Sequence, residues 1–248
     1  MDLGITGKRA IVAAGTAGLG LATAVSLARN GARVVICGRD EQRLQSAIEK
    51  IGHGCIGIRH DVSTHETAMD FVRAAIEALG GVDILVTNGG GPPPGTALDT
   101  PIDKYPAALE LSLLSVIGMC QVALPYMREQ KWGRIVAITS ISVKQPIANL
   151  ALSNTARAGV TGYLKSLARD VAGDGVTVNS VQPGIHLTDR IKDVSGNTLS
   201  AQAFGIPAGF LGDPGDFGEI CAFFASEQAK YITGAHLNVD GGQYAGLQ

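Results

Sequence analysis

The chain has 248 residues, 46% of them hydrophobic and 17% charged, with a formal net charge of −2. That balance supplies apolar material for one extensive core and excludes disorder as the main state. It also lacks the basic footprint that nucleic acid or an anionic membrane surface selects.

Along the chain, short β-rich runs alternate with helical patterns. The first run, KRAIVAA (8–14), leads through a glycine-rich turn into LGLATAVSLARNG (19–31), which has helical periodicity and stops at glycine. Backbone amides at such a turn, reinforced by the helix N-terminus, favour a pyrophosphate. Gly15, Gly18 and Gly20 allow close backbone approach, although the spacing is not GxGxxG and tight strand–helix packing would use the same glycines. The second run, ARVVICG (32–38), ends at Gly38 where a carboxylate would bind a ribose, and Arg39 follows. An arginine there clamps a 2′-phosphate, pointing to NADP(H) over NAD(H); a solvated arginine opening a helix is the alternative. After CIGIRH (55–60), Asp61 is placed to meet an adenine edge, or Ser63 to N-cap the helix ETAMDFVRAAIEALG (66–80).

Further runs follow at VDILVTN (82–88), GRIVAIT (133–139), VTVNSV (176–181) and HLNVD (236–240). RVVIC and DILV are apolar almost throughout, as strands buried on both faces should be. Seven strands alternating with helices predict an α/β fold: one doubly wound domain over 1–248, with a parallel sheet covered on both faces. Two segments interrupt the rhythm, 88–101 and 186–214. Both leave carboxyl ends of strands, where open α/β sheets bind ligands, so both are substrate-site candidates. Within 149–171, Ser153 and Arg157 stand four residues apart and share one helical face.

Cys37, Cys55, Cys120 and Cys221 show no CxxC pairing, so no metal site or disulfide framework is expected and the thiols suit a reducing compartment. No secretory leader pattern opens the sequence and no apolar run reaches the ~18 residues of a membrane span. A soluble, cytoplasmic protein without nucleic-acid or membrane partners is expected.

The segments AAGTAGLG (13–20), DVS (61–63), DILVTNGG (83–90), LPYM (124–127), GRIVAITS (133–140), GVTVNSVQPG (175–184) and YITGAHLNVDGG (231–242) together resemble the short-chain dehydrogenase/reductase family. The likeness spans essentially the whole chain and is strongest to divergent relatives of the 3-oxoacyl carrier-protein reductases. It implies a seven-stranded Rossmann sheet, a nicotinamide dinucleotide, a small carbonyl or alcohol substrate and a homo-oligomer, commonly a tetramer. It places the cofactor along Gly15, Thr16, Gly18, Leu19, Gly20, Arg39, Asp61, Val62, Asn88, Gly90, Arg157, Pro183, Gly184 and Thr188.

Ala13 and Ala14 stand where the family has Thr and its first Gly. The family's Asn, Ser, Tyr and Lys fall on Ser112, Ser140, Ser153 and Arg157, so only Ser140 is retained. Spacing to Ser153 favours Ser140 over Ser142. An aliphatic hydroxyl is a far weaker acid than a phenol of pKa ~10, and arginine does not relay a proton as lysine does. His186 and Lys144 are candidate replacement donors; Tyr163 is too far along the helix. Three functions follow: an NADP(H)-dependent oxidoreductase of a carbonyl/alcohol pair, which leads; a nucleotide-binding sensor or scaffold without turnover; and a non-redox enzyme reusing the pocket.

Overall fold

The computed structural model describes residues 2–195 and 199–247. Its seven strands are β1 (Arg9–Val12), β2 (Arg33–Gly38), β3 (Ile56–Arg59), β4 (Ile84–Thr87), β5 (Gly133–Ile138), β6 (Val176–Pro183) and β7 (His236–Val239). Six lie inside their sequence-predicted spans, while β6 runs on past Val181 to Pro183. All pairings are parallel, in the order β3-β2-β1-β4-β5-β6-β7. The direction of winding reverses between β1 and β4, and ligands bind at the carboxyl ends beside such a switch point.

Side-chain alternation explains why the strands read as continuous apolar runs. Ile11, Val35, Leu85 and Ile135 pack with Phe71 of α3 (His65–Leu79), Met119 of α5 (Ser115–Glu129) and Val160 of α6 (Ala151–Val171). Val12, Ile36, Val86 and Val136 point the other way. They meet Leu27 of α1 (Gly18–Arg29), Leu44 of α2 (Glu41–Ile51) and Phe217 of α8 (Pro214–Phe224). Each such buried side chain contributes about 1.5–3 kcal/mol.

Local signals set the helix ends. Asp40 caps α2 by accepting from the Arg43 N–H at 2.9 Å. Thr64 caps α3 in a reciprocal box with Thr67, and Gly80, at φ 75°, ends it. Thr64, not Ser63, is therefore the cap of α3. The segment 186–214 is more than a connection: it carries the short helix α7 (Asp189–Ser195) and is pinned by a bridge between His186 and Gly212.

Residues 102–129 form one helical run that joins a 3₁₀ turn, α4 (Tyr105–Leu109), a π-turn (Glu110–Leu114) and α5. Contrary to the expectation from sequence, an 18-residue window within this run has the length and mean hydropathy, 1.8, of a membrane-crossing helix. It packs instead against α3, with Met119, Cys120, Ala123 and Met127 in the core. At the π-turn, the His65 N–H donates to Glu110 at 3.0 Å and its ring Nδ1 lies 2.9 Å from the same carboxylate. The turn carries Ser112, which is buried; π-turns commonly mark functional positions.

Candidate active site

The nucleotide end is built from glycines that approach other chain segments. A Cβ on Gly15 would lie 2.7 Å from Ile36 Cγ2, and one on Gly20 would lie 2.5 Å from Asn88 Nδ2. Gly18 has φ 55° and opens α1, whose N-cap Ala17 offers no side-chain bond. The first N–H groups of that helix are thus left to a ligand, a natural seat for a pyrophosphate. Ala14 adopts φ 47°, the left-handed conformation a glycine would hold without strain. The turn therefore keeps the required backbone shape despite the alanine, and the Ala14 N–H donates to Cys37 Sγ at 3.3 Å.

Asn88 braces this turn, donating through Nδ2 to the carbonyls of Ala13 and Ala14. Gly38 has a local reason as well: a Cβ there would run into the Thr16 side chain, so β2 ends without a carboxylate. Leu19 packs partly buried against the core on the α1 side. Arg39 is exposed, and its carbonyl accepts from Arg59 Nε at 3.2 Å. Two cations thus stand at the end where a 2′-phosphate would sit. Arg59 was missed from sequence, although parallel pairing sets it directly beside Gly38.

Asp61 spends both carboxylate oxygens on Ser63, accepting from its N–H at 3.1 Å and its hydroxyl at 2.8 Å. Val62 turns its side chain into the core, leaving only backbone for a ligand. Beside Gly90 lies open space, and the methyl of Thr188 lies 3.4 Å from the Cβ position of Gly18. Pro183 and Gly184 close β6, with the Gly184 N–H donating to Val239 O at 2.9 Å. A dinucleotide fits this edge: the glycine positions are cradles a Cβ would fill, and helix α1 presents free donors.

At the other end, Ser140 caps a 3₁₀ turn, its Oγ accepting from the Ser142 N–H at 3.1 Å. Its own proton remains available, whereas the Ser142 hydroxyl is buried and lacks a partner among the described residues. Ser153 is only 8% exposed, in the first turn of α6. Arg157 reaches the Ile138 carbonyl from Nη1 at 3.4 Å. Burial first, then the nearby Arg190 charge, lower its pKa to about 10, so it remains a cation at neutral pH. The Ser112 hydroxyl is buried and has no partner among the described residues.

The candidate replacement donors are turned elsewhere. His186, 4% exposed, stacks edge-on against Phe217 with ring centroids 5.0 Å apart. Burial lowers its pKa, and Nδ1 faces the Gly184 carbonyl at 3.3 Å. Lys144 donates to the His236 carbonyl at 2.9 Å, tying its loop to β7. Tyr163 is engaged with Cys120 between α6 and α5, and burial pushes its pKa up.

A cavity of about 420 Å³ is lined by Pro92, Pro93, Pro94, Leu111 and Leu152, with Asp99 and Lys104 also on its wall. Residues 92–95 and 99–101 of the Gly/Pro-rich loop thus form one side of this cavity. Arg190 is the second residue that sequence reasoning missed. It crosses to Gly91 only because α7 folds back, and no local pattern announces that.

The comparisons agree with this architecture. A sequence model of the family described as enoyl-(acyl carrier protein) reductase matches residues 13–243. The 3-oxoacyl-[acyl-carrier-protein] reductase of Vibrio cholerae is 35% identical over 242 residues, covering 98% of this chain and 99% of that protein. The L-rhamnose 1-dehydrogenase (NAD(P)(+)) of a Sphingomonas species is 35% identical, with 98% and 99% covered. Among solved structures, L-sorbose reductase from Gluconobacter frateurii, complexed with NADPH and L-sorbose, superposes with a TM-score of 0.90 at 29% identity, both chains covered in full. YwfH, an NADPH-dependent reductase involved in bacilysin biosynthesis, gives a TM-score of 0.91 at 27% identity, with 98% of this chain and 100% of YwfH covered. The chain belongs to the short-chain dehydrogenase/reductase family, whose members are oxidoreductases of carbonyl and alcohol groups.

Proposed function

We propose that the protein is an NADP(H)-dependent oxidoreductase interconverting a carbonyl and an alcohol on a small molecule, with Ser153 and Arg157 replacing the family's Tyr and Lys. One observation carries the reading. The first turn of α1 follows β1 and Ser140 follows β5, so both stand at the carboxyl edge of the sheet, where Arg157 of α6 also reaches the Ile138 carbonyl at 3.4 Å. The preference for NADP(H) rests on Arg39 and Arg59 standing where β2 ends without an acid.

When bound, the nicotinamide supplies or accepts the hydride at the carbonyl carbon. Ser140 donates its free proton in a hydrogen bond to the carbonyl oxygen and polarises it. Arg157 offers N–H donors to ribose hydroxyls or to an anionic substrate group. Ser153 and Ser112, whose hydroxyl has no partner among the described residues, would hold the water from which the oxygen takes its proton. Without a phenol the proton-transfer contribution falls, by about 10²–10⁴-fold in rate.

The reading extends to a cytoplasmic enzyme working as a single domain over 1–248, and as a homo-oligomer, a tetramer by family likeness. Purified protein incubated with NADPH and a panel of ketones, oxoacyl thioesters and oxo acids tests it: oxidation of NADPH supports it. NADPH binding with no turnover on any member supports the second reading, dinucleotide binding without catalysis, which the loss of the Tyr favours.

A further inference from the structure

Three consecutive prolines, Pro92, Pro93 and Pro94, share one cavity of about 420 Å³ with Leu111 of the π-turn and Leu152 of α6. That volume lies within the roughly 300–1,000 Å³ of small-molecule sites. Leu111 immediately precedes Ser112, and Leu152 immediately precedes Ser153. Each leucine is therefore one peptide, about 3.8 Å between Cα atoms, from a serine of the chemical end.

The proline wall is held in place by the fold itself. The Gly95 N–H donates to Asn149 O at 2.8 Å and the Ala151 N–H donates to Gly95 O at 3.0 Å, which bridges the loop to the start of α6. The Thr96 hydroxyl donates to the Asp99 carboxylate at 2.7 Å and accepts from the Asp99 N–H at 3.0 Å.

The lining has little to offer a polar group. Proline has no N–H, so three in a row present ring carbons and no donors. Both backbone atoms of Gly95 are spent in the bridge, and the Thr100 hydroxyl donates to the Thr96 carbonyl. Asp99 is engaged by Thr96, while Lys104 is exposed and lies 3.6 Å from Asp103. A hydroxylated chain placed here would give up its water without finding partners, which is unfavourable. An apolar group gains from the same burial. A rigid ring gains most, because a flexible chain loses torsional freedom when it is held.

We propose that this cavity takes a compact apolar ring, aromatic or alicyclic, carried by the substrate, so that the reacting ketone is cyclic or ring-substituted rather than a sugar or an open chain. This deepens the oxidoreductase reading above and rests on it. Holding the ring fixes the attached carbonyl relative to the chemical end. Reduction consumes one NADPH and one solvent proton and yields the ring alcohol and NADP⁺.

The test titrates β-naphthol, a fluorescent ring with no reducible carbonyl, against the full chain without nucleotide. The competitors are β-tetralone, methyl hexyl ketone and fructose. Two variants act at exposed positions of the lining: Ala107→Phe fills the cavity from α4, and Pro94→Asp puts a charge on its wall. Saturable binding of β-naphthol is expected, with β-tetralone displacing it at least about tenfold better than methyl hexyl ketone, and fructose not at all. Each variant should weaken β-naphthol at least about tenfold with its circular dichroism unchanged. No saturable binding to the wild type overturns the proposal, as does binding that both variants leave intact. Displacement by methyl hexyl ketone or fructose as readily as by β-tetralone overturns the ring. Leu98, in the same loop, is 92% exposed. Dimers that Leu98→Asp splits, with β-naphthol unbound, would give the cavity to a second copy of the chain and overturn the proposal too. If β-naphthol and β-tetralone bind as expected but NADPH reduces no ring ketone, the oxidoreductase reading falls while the ring site stands.

Discussion

Asn88 ties the end of β4 to the glycine-rich turn, its Nδ2 donating to Ala13 O at 3.3 Å and to Ala14 O at 3.2 Å. The bond has room to form because Gly20 has no side chain at that point. Asn88→Ala removes both donors and leaves two carbonyls without them, a cost of about 1–3 kcal/mol. Urea unfolding should show that loss, together with weaker NADPH binding because the turn is no longer held. Unchanged unfolding would mean the contact contributes nothing.

Ala14 holds a left-handed backbone, φ 47°, on the same turn. Such a conformation costs an alanine about 1–2 kcal/mol, partly offset by the greater unfolded-state freedom of glycine. Ala14→Gly is therefore expected to stabilise the fold by about 0.5–1 kcal/mol and raise Tm by about 1–4 °C. Calorimetry checks this; a lowered Tm would show that the turn prefers alanine.

Most of the scaffold was legible in the sequence because its signals are local. The seven apolar runs, the glycine that ends α3 and the Gly15–Gly20 turn each follow from residues within a few positions of one another. What escaped depends on distant contact. Arg190 meets Gly91 across the cleft, and Arg59 comes beside Gly38 through strand pairing. His186 reads as a proton donor in sequence, yet tertiary packing turns it against Phe217. The apolar window within 102–129 does not read as one continuous run because Glu110 interrupts it, and the π-turn makes that carboxylate a partner for His65.

Asp83 accepts from Arg9 Nε at 2.7 Å, Arg9 Nη2 at 2.9 Å and the Arg9 N–H at 2.8 Å, with its side chain 8% exposed. Burial alone would raise its pKa, but the Arg9 bonds outweigh it and hold the carboxyl below its ordinary 3.8. A depressed carboxylate contributes stability that is present above the unfolded pKa and lost as pH falls through the folded one. Asp83→Asn should cost about 2 kcal/mol at neutral pH. It should also flatten the decline in stability below the ordinary carboxylate pKa. Denaturation curves from pH 7 to pH 2 check both; an unchanged acid limb would remove Asp83 from the account.

Ser140→Ala deletes the one family hydroxyl retained at the chemical end and should lower kcat about 10²–10³-fold with KM little changed. In the opposite direction, Ser153→Tyr combined with Arg157→Lys restores a titratable phenol and an ammonium. That double variant is expected to gain about 10²-fold in kcat on a neutral ketone. Steady-state kinetics check both; a double variant no faster than wild type would mean the buried site at Ser153 does not admit the ring.

The account depends most on a dinucleotide lying along the carboxyl edge with Arg39 and Arg59 at its 2′-phosphate. Titration calorimetry with NADPH and NADH tests this directly. Saturable one-site binding of NADPH, at least about tenfold tighter than NADH as a charged hydrogen bond provides, is the predicted result. Equal affinities would contradict the phosphate site, and no heat from either nucleotide would contradict the account as a whole.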